Sequence, residues 1–161
     1  MAVRELREAP LGEAAEIQQV VSLLGGRNAL RQLPNSMIDA HRMLLGGLPE
    51  AALRHLLGKL VILAKTESLE KAVGMSLRTY QRLKETPEKH LSVEQSGRTW
   101  KFAGILAKAT AVLGSQHEAE MWLERPAVGL NQERPIDLLQ TPAGAELVET
   151  FLRRLEYGVY A

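Results

Sequence analysis

Cysteine is absent from the 161 residues. That excludes disulfides, thiolate metal sites and cysteine nucleophiles, and it fits a reducing cytoplasm, the expected location. Aromatic residues make up only 4%, and two of the three tyrosines, Tyr157 and Tyr160, fall in the last ten residues. No run of about 18 apolar residues occurs, so no membrane span is expected. The N-terminus has no charged region followed by an apolar one, so no secretory leader is expected. No segment alternates long enough to form a strand. Histidines 41, 55, 90 and 117 form no i, i+4 pair and no metal-ligand motif. Leu24-Gly-Gly-Arg27 and Leu45-Gly-Gly-Leu48 lack the preceding strand and the Gly-Lys-Ser/Thr ending of a phosphate loop, and read as helix stops. No serine lies in a nucleophile elbow. Acidic residues such as Glu118 and Glu120 read as solvated helix positions. Nothing here supports an enzyme, a bound metal or a cofactor.

What is present is helical periodicity almost throughout, in a chain long enough for one domain or two small ones. Residues 1–13 show no period and hold Pro10 and Gly12, which predicts a loose arm. Ile17, Val20, Val21 and Leu24 form a buried stripe, stopped at Gly25-Gly26. Asn35-Ser36 can cap a second helix ending at Gly46-Gly47, and Leu53, Leu56, Leu57 and Leu60 stripe a third. Two short helices follow, about 67–73 and 77–84, with Gly74 between them. Ser92-Val-Glu-Gln95 reads as a capping box opening the longest helix, to about Leu113, with Phe102, Ile105, Leu106 and Ala109 inward. Ser115-Gln-His-Glu118 is a second such box. Pro135 starts a short helical turn, and Thr141-Pro142 starts the last helix, closed by Gly158. The fold class is all-α.

The charge is asymmetric beneath a net +1. Residues 76–110 carry seven basic and three acidic side chains, whereas residues 115–161 carry four basic and eight acidic ones. A basic middle and an acidic end predict two surfaces with different partners.

The segment 68–84 has the spacing of a helix-turn-helix: Leu69 and Val73 before the Gly74 turn, Met75, Tyr80 and Leu83 inward after it. Its second helix would present Ser76, Arg78, Thr79, Gln81, Arg82 and Lys84 to DNA. Arginine and glutamine can read base edges, serine and threonine at a helix start suit phosphate, and lysine adds sequence-independent attraction. The position four before the glycine, where the two helices cross, is usually small; here it is Glu70, whose carboxylate must swing outward. At the chain end, Val159, Tyr160 and Ala161 extend past the last helix. Such a tail can fold back on its own domain or enter a partner's cleft, and both readings stay open on physics alone.

Arg134-Pro-Ile-Asp-Leu-Leu-Gln-Thr-Pro-Ala-Gly-Ala145 followed by Arg154-Leu-Glu-Tyr-Gly-Val-Tyr-Ala161 resembles the C-terminal toxin-binding domain of the Xre/MbcA/ParS antitoxins. Trp122-Leu-Glu-Arg-Pro-Ala-Val-Gly-Leu130 resembles the approach to that motif. Gly74-Met-Ser-Leu-Arg-Thr79 resembles the family's helix-turn-helix, and Leu24-Gly-Gly-Arg27 and Gly47-Leu-Pro-Glu-Ala51 its N-terminal part. The resemblance implies an Xre-like helix-turn-helix domain with a C-terminal helical toxin-binding domain. It implies an antitoxin of a bacterial type II pair whose partner is a RES-domain toxin, an enzyme that consumes NAD or transfers its ADP-ribose to a host enzyme. Such an antitoxin covers the toxin's active site and represses its own operon by binding operator DNA, as a homodimer within a larger complex. Carried onto this sequence, the toxin-binding positions are Arg134, Pro135, Asp137, Leu138, Glu156, Tyr157, Gly158, Val159, Tyr160 and Ala161, with Leu138 a core candidate and Asp137 a candidate for local hydrogen bonds. The expected organisation is a helical, candidate dimerisation region over 1–47, the helix-turn-helix over 48–114 and the toxin-binding domain over 115–161. A stand-alone helix-turn-helix regulator without a toxin, and an inhibitor with a vestigial helix-turn-helix, are the alternative readings.

Overall fold

The computed structural model describes residues 2–158, with side chains from residue 12 on. Helix α1 spans Ala2–Leu23 and buries Ile17, Val20 and Val21, with Leu24 buried just beyond its end, the stripe expected from sequence. The loose arm expected over 1–13 is corrected: the helical backbone begins at Ala2. The segment has no apolar stripe in its sequence, and backbone hydrogen bonding does not need one. Pro10 removes a single N–H from the ladder, and neighbouring rungs can hold the helix on both sides of that gap.

A 3-10 turn, Gly26–Asn28, leads to α2 (Met37–Leu45), whose N-cap Ser36 accepts the Asp39 N–H. Then come α3 (Glu50–Lys59) and α4 (Lys65–Glu67), which continues into a π-helical turn, Ser68–Val73. Helix α5 is Leu77–Glu85 and α6 is Val93–Leu113. The capping box at Ser92 is complete, with Ser92 Oγ accepting the Gln95 N–H and the Gln95 side chain accepting the Ser92 N–H. Helix α7 (Gln116–Glu124) has only the forward half of its box among the described residues, the Glu118 N–H donating to Ser115 Oγ. A 3-10 turn (Val128–Leu130), α8 (Pro135–Leu138) and α9 (Pro142–Glu156) complete the chain. The described residues form no strand; one isolated bridge joins Pro49 and His90.

Helix α6 is the spine. Phe102, Ala103, Ile105, Leu106 and Ala109 are buried, and one continuous apolar core runs from Ile17 on α1 to Leu152 on α9. Ion pairs set α9 alongside α6 in the same direction: Lys101 Nζ lies 2.7 Å from Glu149 and Lys108 Nζ 2.6 Å from Glu156. Helix α1 runs the other way, since Lys108 also meets Glu16 at 3.8 Å while Gly104 faces Val20.

The solvated reading of Glu120 is corrected. Its side chain is buried, and its carboxylate accepts the backbone N–H groups of Val61, Ile62 and Leu63 at 2.9–3.0 Å, with Gln116 Nε2 as a fourth donor. Three successive N–H groups left unpaired beyond α3 make a nest that one carboxylate can fill. Glu120 thereby ties α7 to the loop that opens the helix-turn-helix.

Candidate functional site

The turn between the two helices of the motif is made by Gly74, which sits at φ 73 in the left-handed region that glycine enters without cost. Its N–H and that of Met75 both donate to the Leu69 carbonyl, closing the π-helical turn. Ser68, Leu69, Ala72 and Val73 are buried and Glu70 is exposed, so its carboxylate lies outward, as the crossing requires. Arg98 of α6 finishes this end. Its Nε donates to the Ala72 carbonyl at 3.1 Å and its Nη2 to the Lys71 carbonyl at 2.9 Å. Arg98 belongs to the basic middle in the sequence, but its charge is engaged at this helix end.

Helix α5 has no buried residue. Tyr80 and Leu83, both half-buried, are its inner side. Burial pushes the Tyr80 phenol up, and the Glu50 carboxylate adds to that. Ser76 caps the helix: its Oγ accepts the Thr79 N–H at 3.1 Å and donates to Thr79 Oγ1 at 3.0 Å. These two hydroxyls are therefore engaged with each other. Arg78, Gln81 and Arg82 are exposed and have no ion pair or side-chain hydrogen bond among the described residues. Lys84 is exposed too, its ammonium 5.4 Å from the Tyr80 ring centroid. The six positions expected at DNA thus share one short helix, with four free or loosely held long side chains and a capped start.

The C-terminal positions divide. Pro135 is buried at the start of α8, and Leu138 is half-buried against the core. Arg134 turns inward: its Nε and Nη2 make a bidentate pair with Asp137 at 2.9 and 3.0 Å, and Nη2 also meets Glu67 of α4. Lys71 Nζ adds a contact to Asp137 at 3.7 Å. The hydrogen bonds from Arg134 hold the Asp137 carboxyl below the usual carboxylate range, with Lys71 helping and burial opposing. Asp137 and Glu67 together hold the Arg134 guanidinium above its usual value. Glu156 pairs with Lys108. Tyr157 is 75% exposed, and Gly158 follows in the left-handed region at φ 67. Val159, Tyr160 and Ala161 lie outside the described residues.

Two exposed apolar side chains in this half carry no signal in the helical stripes. Val128 is 82% exposed on a tight loop where Asn131 and Gln132 both have positive φ, and Leu147 is 57% exposed on α9. Beneath the loop, Gly129 lies against Phe151, whose ring stacks on Trp122 with centroids 5.8 Å apart. The turn residues around Gly129, after Pro126, are the one cue the sequence offers for that loop.

Among the described residues no group of three or more His, Asp or Glu could hold a metal ion. No described helix is long and apolar enough to cross a membrane.

Comparison with known proteins matches residues 39–104 to the antitoxin Xre-like helix-turn-helix domain and residues 108–158 to the antitoxin Xre/MbcA/ParS C-terminal toxin-binding domain. The chain is 31% identical over 92 residues to an antitoxin Xre of Yersinia enterocolitica, covering 56% of this chain and 62% of that protein. It is 34% identical over 68 residues to an antitoxin Xre of Pseudomonas putida, covering 42% and 43%. The matches span about half the length of these relatives. An Xre-like helix-turn-helix domain is thus followed in this chain by a C-terminal domain similar to the one shared by the Xre, MbcA and ParS antitoxins.

Proposed function

We propose that this chain is an antitoxin that holds a RES-domain, NAD-consuming toxin through its C-terminal domain and represses its own operon by setting α5 in the DNA major groove. The observation that carries the reading is the state of α5. Arg78, Gln81, Arg82 and Lys84 stand exposed on a capped helix with no buried residue, next to a domain of the toxin-binding type. Bidentate side chains on a protruding helix suit base edges. In the C-terminal half, Tyr157 stays exposed instead of packing on its own domain, which favours contact with a partner over a folded-back end. The acidic balance of residues 115–161 complements a pocket built for the NAD pyrophosphate, so Tyr157, Gly158, Val159, Tyr160 and Ala161 would occlude that pocket without chemistry. Arg134, Pro135, Asp137, Leu138 and Glu156 support that surface from behind. No catalytic role is assigned to the chain.

The test is co-expression with the adjacent open reading frames, capture on a tag carried by this chain, and an NAD-consumption assay before and after the antitoxin is denatured away. A copurifying protein that consumes NAD only once freed is the expected result. The chain cut before Gly158 should still fold and still copurify, yet inhibit less. No copurifying partner, with operator binding intact, would make the chain a stand-alone regulator. A partner without NAD turnover would overturn the RES assignment alone.

A further inference from the structure

Beside the helix-turn-helix, the loop 29–35, α2 and the start of α3 enclose an open hollow of about 810 Å³. Arg31, Arg42 and His90 line it, over a floor that includes Leu30, Pro34 and Met43. We propose that this hollow is a second contact surface for duplex DNA, in which Arg31 and Arg42 hold phosphates flanking the groove that α5 enters. The proposal rests on the DNA-binding reading above and extends it beyond α5.

Three observations carry it. The first is how the cations are used. Of the cations on the α6–α9 side, Lys71, Lys101, Lys108 and Arg134 are engaged in ion pairs and Arg98 on carbonyls, while Arg154 stands exposed on α9. Arg31 and Arg42 are exposed and have no ion pair or hydrogen bond among the described residues, like Arg78 and Arg82 on α5. Two free guanidiniums beside one concavity suit phosphate, which they can hold bidentately.

The second is position. The chain leaves α5 at Glu85, turns through Thr86–Lys89, and is pinned to the hollow at His90. His90 Nδ1 donates to the Gly47 carbonyl at 2.8 Å, and the Leu91 N–H donates to the Leu48 carbonyl at 2.8 Å. Five residues span at most about 17 Å, and the turn shortens that. His90, on the rim of the hollow, therefore lies within about 17 Å of the end of α5, a distance on the scale of the roughly 12 Å major groove. Phosphates rimming that groove are within the reach of an arginine.

The third concerns the acidic side chain in the same hollow. Asp39 lines it, but its carboxylate accepts the Asn35 N–H at 3.2 Å and makes no ion pair with Arg31 or Arg42. It holds the loop's shape and leaves both guanidiniums free.

Phosphate contacts fix affinity and its salt dependence, not sequence preference. The test uses the full chain, a duplex from upstream of its own gene and a scrambled duplex of equal length, with affinity measured from about 50 to 200 mM salt. Arg31→Gln and Arg42→Gln should each lower the slope of log K against log salt by about 1. Across that range each variant should lose roughly fourfold less affinity than the parent. Both should weaken the two duplexes equally, whereas Arg78→Ala should narrow the gap between them. An unchanged slope in the Arg31→Gln/Arg42→Gln double variant, with the parent binding normally, overturns the proposal and leaves the α5 reading intact. A double variant whose sedimenting mass changes also overturns it, because the hollow would then be a contact between copies of the chain. A parent that binds neither duplex removes the DNA-binding reading itself, and this one with it.

Discussion

Glu120 accepts three consecutive backbone N–H groups and one side-chain amide, and it is buried at the joint between α7 and the loop after α3. Glutamine keeps its shape but loses the charge and one acceptor oxygen, so Glu120→Gln should destabilise the fold by roughly 1–3 kcal/mol. Urea unfolding checks this, and a change within about 0.5 kcal/mol would mean the nest is satisfied by water. The residue was illegible in the sequence for a physical reason. A glutamate on a helix normally faces water, and the donors it serves lie 57–59 residues away in a loop with no motif. Gly74 was legible, because a glycine between two short apolar stripes marks a turn of positive φ. What the sequence withheld is that a Cβ at Gly74 would also fall on the Arg98 guanidinium. Gly144 is similar, since a Cβ there would strike the Leu138 carbonyl, which is why α8 and α9 can close on each other.

At the scale of the element, α5 is the part whose sequence and structure agree most closely. The Ser76 cap, the inner pair Tyr80 and Leu83 and the outward Arg78, Gln81 and Arg82 all follow from helical spacing, and all are found there. The π-helical turn before it was not legible. Buried positions 68, 69, 72 and 73 fit an α-helical stripe nearly as well as a π-helical one, and the two differ only in which N–H reaches which carbonyl. Because α5 contributes no buried residue, its outer side chains can be removed without disturbing the core. Arg78→Ala and Gln81→Ala should each reduce discrimination between operator and scrambled DNA by about 1–3 kcal/mol. Thermal unfolding should stay within about 0.5 kcal/mol of the parent. Discrimination lost together with the melting transition would place these side chains in the fold instead of the groove.

At the scale of the whole molecule, the Arg-Pro-x-Asp segment connects the segment expected to hold the toxin with the helix-turn-helix segment. Arg134 precedes α8 and Asp137 sits on it, while Glu67 and Lys71 sit on the first segment of the helix-turn-helix, and the four form one ion cluster. Spacing alone could suggest an Arg134–Asp137 pair but not its partners 66 and 67 residues earlier, which only the packing of both parts on α6 brings near. The cluster makes a signed prediction. Asp137 has its pKa held below the ordinary value of 3.8, chiefly by hydrogen bonds from Arg134. A carboxyl whose folded pKa is depressed binds its proton more readily in the unfolded chain. Its contribution is therefore fully present above 3.8 and lost as pH falls through the lower, folded value. Asp137→Asn should cost about 1–2 kcal/mol at pH 7, the range for a charge-assisted pair that is partly screened by solvent. That difference should shrink as the pH is lowered to about 3 and below, as urea unfolding of both proteins across that range would measure. A gap that stays constant down to low pH would mean that Asp137 contributes by shape alone, and that the charge linking the two halves does not hold them together.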